Sequence, residues 1–383
     1  MKVEPFAPER KATYYSICLH VILHERLRHE GMTSFLSLHP NLEMYGVTVY
    51  SKKKDVITMQ YGLWDEYIDS FRLSRLGYGV SPEHMGYRVE NISFETYEEG
   101  KLAILQNIQK QQLSLITGTY YHLPYSSYYQ SDKYLTDYNT LHPGVIKHWV
   151  SVYGLDEQRA WIYDGVPGDY VGAIQLQDFE ACWRGDRGIK ELANNSLIQG
   201  KKEYGMLQLY QTCKMEPCDV RKLMESTAVT VAFEYIRGVI ISEDNDIHYF
   251  GKSAVNQLLE DFSFIHMHED QLGGNHLADY GQAVLEIKLM RYYYLDLLKD
   301  LVMLYGYVYE EDLDRFEKIV KRWEVISIGL MKHILRQSPP EKFLVTTIEA
   351  VKQVGMQEDH FFTEFLYRHS HTSLLEPIKT IQI

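Results

Sequence analysis

Cysteine is scarce in this chain, with four in 383 residues, at positions 18, 182, 213 and 218. Disulfide scaffolds are dense in cysteine, so this count excludes a small disulfide-stabilised domain and predicts reduced thiols. Positive charge is also under-represented, because 39 Lys and Arg face 52 Asp and Glu, which gives a formal net charge of -13. Nucleic acids are bound by clustered Lys and Arg, so we predict no nucleic-acid partner.

Long hydrophobic runs are missing too. No apolar run approaches the roughly 20 residues that span a bilayer, and the start of the chain, MKVEPFAPERKATYY, has no apolar signal-peptide core. We therefore expect a cytoplasmic protein with no membrane partner. The sequence also lacks the glycine-rich loops that cradle phosphates. His20 and His24 are four residues apart and the run HMHED alternates possible ligands, but a solvated helix face and a surface loop are the preferred interpretations, so no metal and no bound cofactor are predicted.

The sequence shows a different pattern of apolar residues in its two halves, which predicts two domains. Residues 1–198 mix short apolar runs with Gly and Pro turns, which indicates an α+β domain. Residues 199–383 show helical periodicity, which indicates a mostly α-helical domain. The predicted helices of that domain lie near 217–240, 251–264, 277–305, 310–337 and 340–370. The long apolar stretch 283–305 makes a homo-oligomeric interface plausible.

One cysteine lies at the start of a predicted helix. In the run SICLHVILHERLRHEG, Ser16 is a suitable N-cap, apolar residues recur at three- and four-residue intervals, and Gly31 suits the C-terminal end. Cys18 then falls in the first helical turn, where the partial positive charge of the helix stabilises a thiolate. Such a cysteine is a candidate nucleophile, although a buried and inert cysteine fits the same pattern.

A predicted β-hairpin supplies the partners that a cysteine nucleophile needs. The runs KHWVSVY and RAWIYD are separated by the turn-rich connection GLDEQ. If His148 pairs opposite Asp164, Val150 pairs with Ile162 on the same face, so an imidazole and a carboxylate meet at the end of an apolar face. A carboxylate beside a histidine fixes the tautomer and stabilises the imidazolium, as in a nucleophile–base–acid triad.

These motifs resemble a known family. Cys18 followed by an apolar helix and Gly31, the strand HWVSVYG, and Asp164-Gly165 are similar to the papain-like fold of C39 peptidases. More closely, the chain resembles the amino-terminal domain of the butirosin biosynthesis protein H family, which also has a Leu-Pro-Tyr-like turn, here ending at Tyr125, and an acidic helix before an aromatic, here 177–183. The motifs cover residues 14–185. The second domain resembles the family only in its mostly helical pattern, without shared motifs.

The resemblance implies an acyltransferase of antibiotic biosynthesis with Cys18, His148 and Asp164 as its catalytic residues. It would accept an acyl group from an acyl or peptidyl carrier protein, whose phosphopantetheine is part of the substrate, and pass it to a small amine-bearing acceptor. Residues 8–17 contain no Gln or Asn for an oxyanion hole, so the Cys18 backbone N–H is expected to act with the Ser16 or Tyr14 hydroxyl. Further pocket candidates are His122, Tyr125 and His142.

Two other functions fit the same residues. A thioesterase or cysteine peptidase would use the same triad with water or a peptide as its target, and a catalytically inactive papain-like domain would serve as a binding module. We prefer acyl transfer or cyclisation because a thioester is already activated, so a weak oxyanion hole slows its attack less than it slows peptide cleavage.

Overall fold

The structure is a computed structural model, and it describes residue 26 and residues 49–53, 87–132, 134–135, 148–165, 170–185, 204–211, 217–243, 246–267, 276–336 and 341–369. Within these ranges the fold is a mixed α/β arrangement. The strands are β1 (Val49–Lys53), β2 (Tyr87–Ser93), β3 (Ser114–Gly118), β4 (His148–Leu155), β5 (Arg159–Asp164), β6 (Tyr170–Gln175), β7 (Gly205–Gln211), β8 (Ile240–Glu243) and β9 (Asp246–Phe250). The α-helices are α1 (Tyr97–Gln109), α2 (Leu176–Trp183), α3 (Pro217–Arg237), α4 (Lys252–Met267), α5 (His276–Tyr305), α6 (Glu310–Arg336) and α7 (Glu341–His369).

The described residues cluster into two compact units. The first unit is built on a six-stranded sheet with the strand order β2-β7-β3-β4-β5-β6, in which every described pair of neighbours is antiparallel. Strand β7 is the last of these six strands in the chain, but it pairs with both β2 and β3 and so lies between two earlier strands of the sheet.

Helices α1 and α2 pack in the core of the first unit. Thr96 and Glu99 form a capping box at the start of α1, which satisfies two of the backbone N–H groups that a helix start leaves open. Trp183, at the end of α2, is fully buried and donates to the Gly205 carbonyl at 2.9 Å. A Cβ at Gly100 of α1 would lie 2.5 Å from the Trp183 ring, so α1 approaches this ring closely only because residue 100 is glycine.

The β4–β5 hairpin forms as predicted, but its predicted register is wrong. Val152 pairs with Ile162 where the prediction paired Val150 with that residue, and the register shifts between Val152 and Gly154. This irregularity is a β-bulge, which sets two residues of one strand against one of the other. The connecting turn is also shorter than predicted, because Asp156 accepts hydrogen bonds from the backbone N–H groups of Gln158 and Arg159.

In its described residues, the second unit combines a small sheet with the α-helices α3 to α7 and a 3-10 helix, Gly306–Tyr309. Its three-stranded antiparallel sheet has the order β1-β9-β8, so β1 pairs with β9, about 200 residues later in the chain. The helical core contains Tyr294, whose ring contacts Phe316 at 4.9 Å and Phe362 at 5.3 Å between ring centroids. A fully buried ion pair, Arg291–Glu358, joins α5 to α7.

The predicted helices 217–240, 251–264, 277–305, 310–337 and 340–370 correspond to α3 through α7. The two units, however, do not follow the predicted division into 1–198 and 199–383. Strand β1 clusters with the helical unit, and β7, predicted for the helical domain, is part of the six-stranded sheet. The predicted boundary itself lies outside the described residues. Among the described helices, none is both long and apolar enough to cross a membrane.

Candidate active site

His148 and Asp164 form a buried pair at the end of the β4–β5 hairpin that lies away from its turn. His148 begins β4 and Asp164 ends β5, and His148 Nε2 lies 2.7 Å from Asp164 Oδ2. Both side chains are 0 % exposed. The contact predicted from the sequence is therefore present, although the pairing of Ser151 with Tyr163 makes the two residues diagonal neighbours rather than direct partners. Because Nε2 faces the carboxylate, Nδ1 is the ring nitrogen that would serve a nucleophile.

Tyr125 binds the same carboxylate oxygen. Its hydroxyl donates to Asp164 Oδ2 at 2.7 Å, so this one oxygen contacts both the tyrosine and the histidine. The Tyr125 ring stacks on Tyr170, with 3.9 Å between ring centroids and 5° between ring planes. The predicted pocket residue Tyr125 thus contacts the pair directly.

Tyr120 covers the imidazole. It begins a short 3-10 helix, Tyr120–His122, that follows β3, and its ring stacks on His148 with 3.8 Å between centroids. This contact fixes the plane of the imidazole from one face. Tyr120 is not among the residues predicted for the site, because its stacking on His148 arises from packing between separate elements.

Cys182 lies close to the pair, a position that the sequence analysis did not predict. Gly118 is directly opposite His148 in the β3–β4 ladder, and a Cβ on Gly118 would come within 2.5 Å of Cys182 Sγ. Burial raises the pKa of the Cys182 thiol to about 12, and the Asp164 charge adds to this shift. Cys182 therefore stays protonated near neutral pH. A cysteine nucleophile reacts as the thiolate, so Cys182 is unsuited to that role.

His122, predicted as a pocket residue, lies at the edge of the site. Its ring packs edge-on against Tyr121 at 5.0 Å, and no hydrogen bond or ring contact joins it to His148 or Asp164 within the described residues. Burial lowers the pKa of His122, and the nearby Asp178 carboxylate opposes this shift. Asp178 accepts a hydrogen bond from the Tyr129 hydroxyl at 3.1 Å.

Arg26 is the one described residue of the predicted first helix. It is helical and buried, and its Nη1 donates to the Leu113 carbonyl, one residue before β3. The remaining predicted site residues, Tyr14, Ser16, Cys18 and His142, lie outside the described residues.

Within the described ranges, no three His, Cys, Asp or Glu side chains converge as ligands for a metal ion. Comparison with known proteins gives no match, because no protein-family model fits the chain and no curated protein is significantly similar to it. The function is therefore inferred from the chemistry of the site and from the motif resemblance.

Proposed function

We propose that the chain is a cysteine-dependent acyltransferase that moves an acyl group from a carrier-protein thioester to a small amine acceptor. The single observation that carries this proposal is the buried His148–Asp164 pair, with Nε2 and Oδ2 2.7 Å apart and both side chains fully buried. A buried carboxylate against one imidazole nitrogen is the arrangement that prepares the other nitrogen for proton transfer.

The proposed reaction has two transfers. Cys18 Sγ attacks the thioester carbonyl carbon and gives its proton to His148 Nδ1. The carrier's sulfur accepts this proton from His148 and leaves as the thiol. The acceptor amine then attacks the acyl-Cys18 carbonyl carbon and gives a proton to His148, and Cys18 leaves as the thiolate. Each step forms one bond to the acyl carbon and breaks one C–S bond, while Asp164 stabilises the imidazolium between steps.

Cys18 lies outside the described residues. Its role in this proposal rests on the motif resemblance and on its position in the first turn of the predicted helix, where the helix N-terminus stabilises a thiolate.

The chemistry of the thioester favours transfer over hydrolysis. An amine is a better nucleophile than water toward a thioester, and its attack depends less on a complete oxyanion hole.

The proposal is tested by trapping the acyl group. We would incubate the wild-type protein with acyl-pantetheine thioesters of several chain lengths and locate adducts by intact-mass and peptide mass spectrometry. The expected result is one acyl adduct on Cys18, formed by the wild-type protein and by Cys182→Ala but not by Cys18→Ala. The Cys182 variant is the matched control because it removes a thiol close to the same carboxylate.

Decay of the adduct then separates the candidate reactions. Loss that is accelerated by added amines, with an amide as the product, supports transfer. Loss to water at the same rate with or without amines would assign a thioesterase instead. An absence of adduct with every thioester, together with equal behaviour of Cys18→Ala and the wild type, would overturn the proposal and leave the binding-module alternative.

A further inference from the structure

We propose that Tyr125 is a positioning residue of this site, which fixes Asp164 and thereby sets the tautomer and the proton affinity of His148. This inference rests on the proposed function. Tyr125 would control the base His148 without reacting itself.

The geometry gives Asp164 Oδ2 two contacts. His148 Nε2 and the Tyr125 hydroxyl each lie 2.7 Å from this oxygen. Burial, followed by the Asp164 charge, raises the pKa of Tyr125, so its hydroxyl keeps its proton and donates it. Among the described residues, the titratable groups that act on the Tyr125 hydroxyl are Asp164, Cys182 and Tyr120.

The Tyr125 ring is held in place from the neighbouring strand. Tyr170 lies directly opposite Asp164 in the β5–β6 ladder, so the two side chains share one face of the sheet. The Tyr170 ring is parallel to the Tyr125 ring at 3.9 Å, and its hydroxyl donates to the Ala173 carbonyl at 3.0 Å. A Cβ at residue 172 would lie 2.7 Å from the Tyr170 hydroxyl, so Gly172 gives this ring its room.

The chemical consequence concerns His148. An ionised carboxylate oxygen that accepts from Tyr125 also accepts from Nε2–H, which places the imidazole lone pair on Nδ1, the nitrogen assigned to the nucleophile. The hydrogen bond from the tyrosine also stabilises the carboxylate charge, so Asp164 stabilises the imidazolium less strongly than it would without this bond. Tyr125 therefore affects both the orientation and the proton affinity of the base.

The first test is Tyr125→Phe, which removes the hydroxyl and keeps the stacked ring. We expect kcat for acyl transfer from an acyl-pantetheine thioester to fall about ten-fold, with KM unchanged, because one hydrogen bond to a charged group is lost. We also expect the limb of the pH–rate profile that His148 sets to move to higher pH, since the carboxylate acts on the imidazolium without competition. Tyr129→Phe is the matched control, because it removes another Tyr–Asp hydrogen bond of the same unit, at 3.1 Å to Asp178.

A second variant keeps the test decisive if Tyr125→Phe does not fold. Installing 3-fluorotyrosine at position 125 preserves the size of the side chain and makes its hydroxyl a stronger donor. The His148 limb should then move to lower pH, opposite to the shift in Tyr125→Phe. A merely structural role for Tyr125 would not produce opposite shifts.

The outcomes separate this inference from the proposed function. If both Tyr125 variants keep the wild-type kcat and pH profile while Cys18→Ala forms no adduct, the positioning role is overturned and acyl transfer stands. If Cys18→Ala is as active as the wild type, the proposed function fails, and this inference fails with it.

Discussion

Gly118 lies directly opposite His148 in the β3–β4 ladder, and the space that a side chain at position 118 would occupy is filled by Cys182 Sγ. The backbone N–H of Thr119 also donates to the Cys182 carbonyl at 3.2 Å, so α2 is tied to the end of β3 beside the histidine. The position of the base therefore depends on the absence of a side chain on the neighbouring strand.

Gly118→Ala should destabilise the first unit and displace His148. The new Cβ would lie 2.5 Å from Cys182 Sγ and 3.2 Å from the Cys182 carbonyl oxygen, so α2 or β3 must shift. We expect a loss of about 1–3 kcal/mol in the free energy of unfolding, measured by urea denaturation. The double variant with Cys182→Ala should recover part of this loss, and strictly additive effects would show that the two positions do not interact.

Cys182 should be unreactive in the native protein. Because burial raises the pKa of its thiol to about 12, almost none is thiolate at pH 7.5. We expect iodoacetamide to leave Cys182 unmodified until the protein is unfolded in urea, as read by peptide mass spectrometry. Rapid native modification of Cys182, or loss of acyl transfer in Cys182→Ala, would contradict its assignment as a structural residue.

The helical elements were predictable because their signal is local. Apolar residues recur over several turns in α3 to α7, and such periodicity fixes a helix without knowledge of its neighbours. Strand β1 shows the opposite case, since it pairs with β9, and no local pattern in residues 49–53 indicates which distant strand they join. The same limit applies to β7, whose partners β2 and β3 come about 100 residues earlier.

The candidate site was predictable in its residue types but not in its register. The prediction placed His148 and Asp164 on one face of the hairpin, and they share a face because two departures from the predicted pairing combine to an even offset. The turn pairs Leu155 with Ala160, three residues beyond the predicted partner, and the bulge between Val152 and Gly154 reduces this offset to two. Neither the shorter turn nor the bulge leaves a clear mark in hydrophobic alternation. The contacts of Tyr120 and Cys182 were not predictable, because both arise from packing between separate elements.

Glu358→Gln should destabilise the helical unit strongly. Glu358 is fully buried and accepts from Arg291 Nη2 at 2.9 Å, Trp323 Nε1 at 2.6 Å and the Tyr235 hydroxyl at 3.1 Å. The amide would remove the negative charge that faces the buried Arg291 guanidinium, which costs about 3–5 kcal/mol. Circular dichroism during urea denaturation measures the change.

Glu364→Gln is the control for this variant, since Glu364 also pairs with an arginine across two helices. That pair, with Arg315, has side chains 26 % and 42 % exposed, so its loss should cost less than about 1 kcal/mol. Equal destabilisation by the two variants would show that burial of the Arg291 pair does not determine its contribution.

Asp164→Asn tests the charge of the orienting group without changing its shape. If the amide oxygen takes the place of Oδ2, it still accepts from His148 and Tyr125, but the negative charge that stabilises the imidazolium is gone. If the amide nitrogen takes that place, it donates to Nε2, and Nδ1 must carry the proton that it should accept from Cys18. Both arrangements impair the base, so we expect the rate of Cys18 acylation to fall about 10²- to 10⁴-fold.

Asp178→Asn is the control, because it alters another tyrosine-bound carboxylate near the site. Substitutions outside the reacting centre usually change free energies by about 0.5 kcal/mol or less, so the rate should change less than about three-fold. Equal rates in Asp164→Asn and the wild type would show that the carboxylate does not support catalysis, whatever its distance from the imidazole.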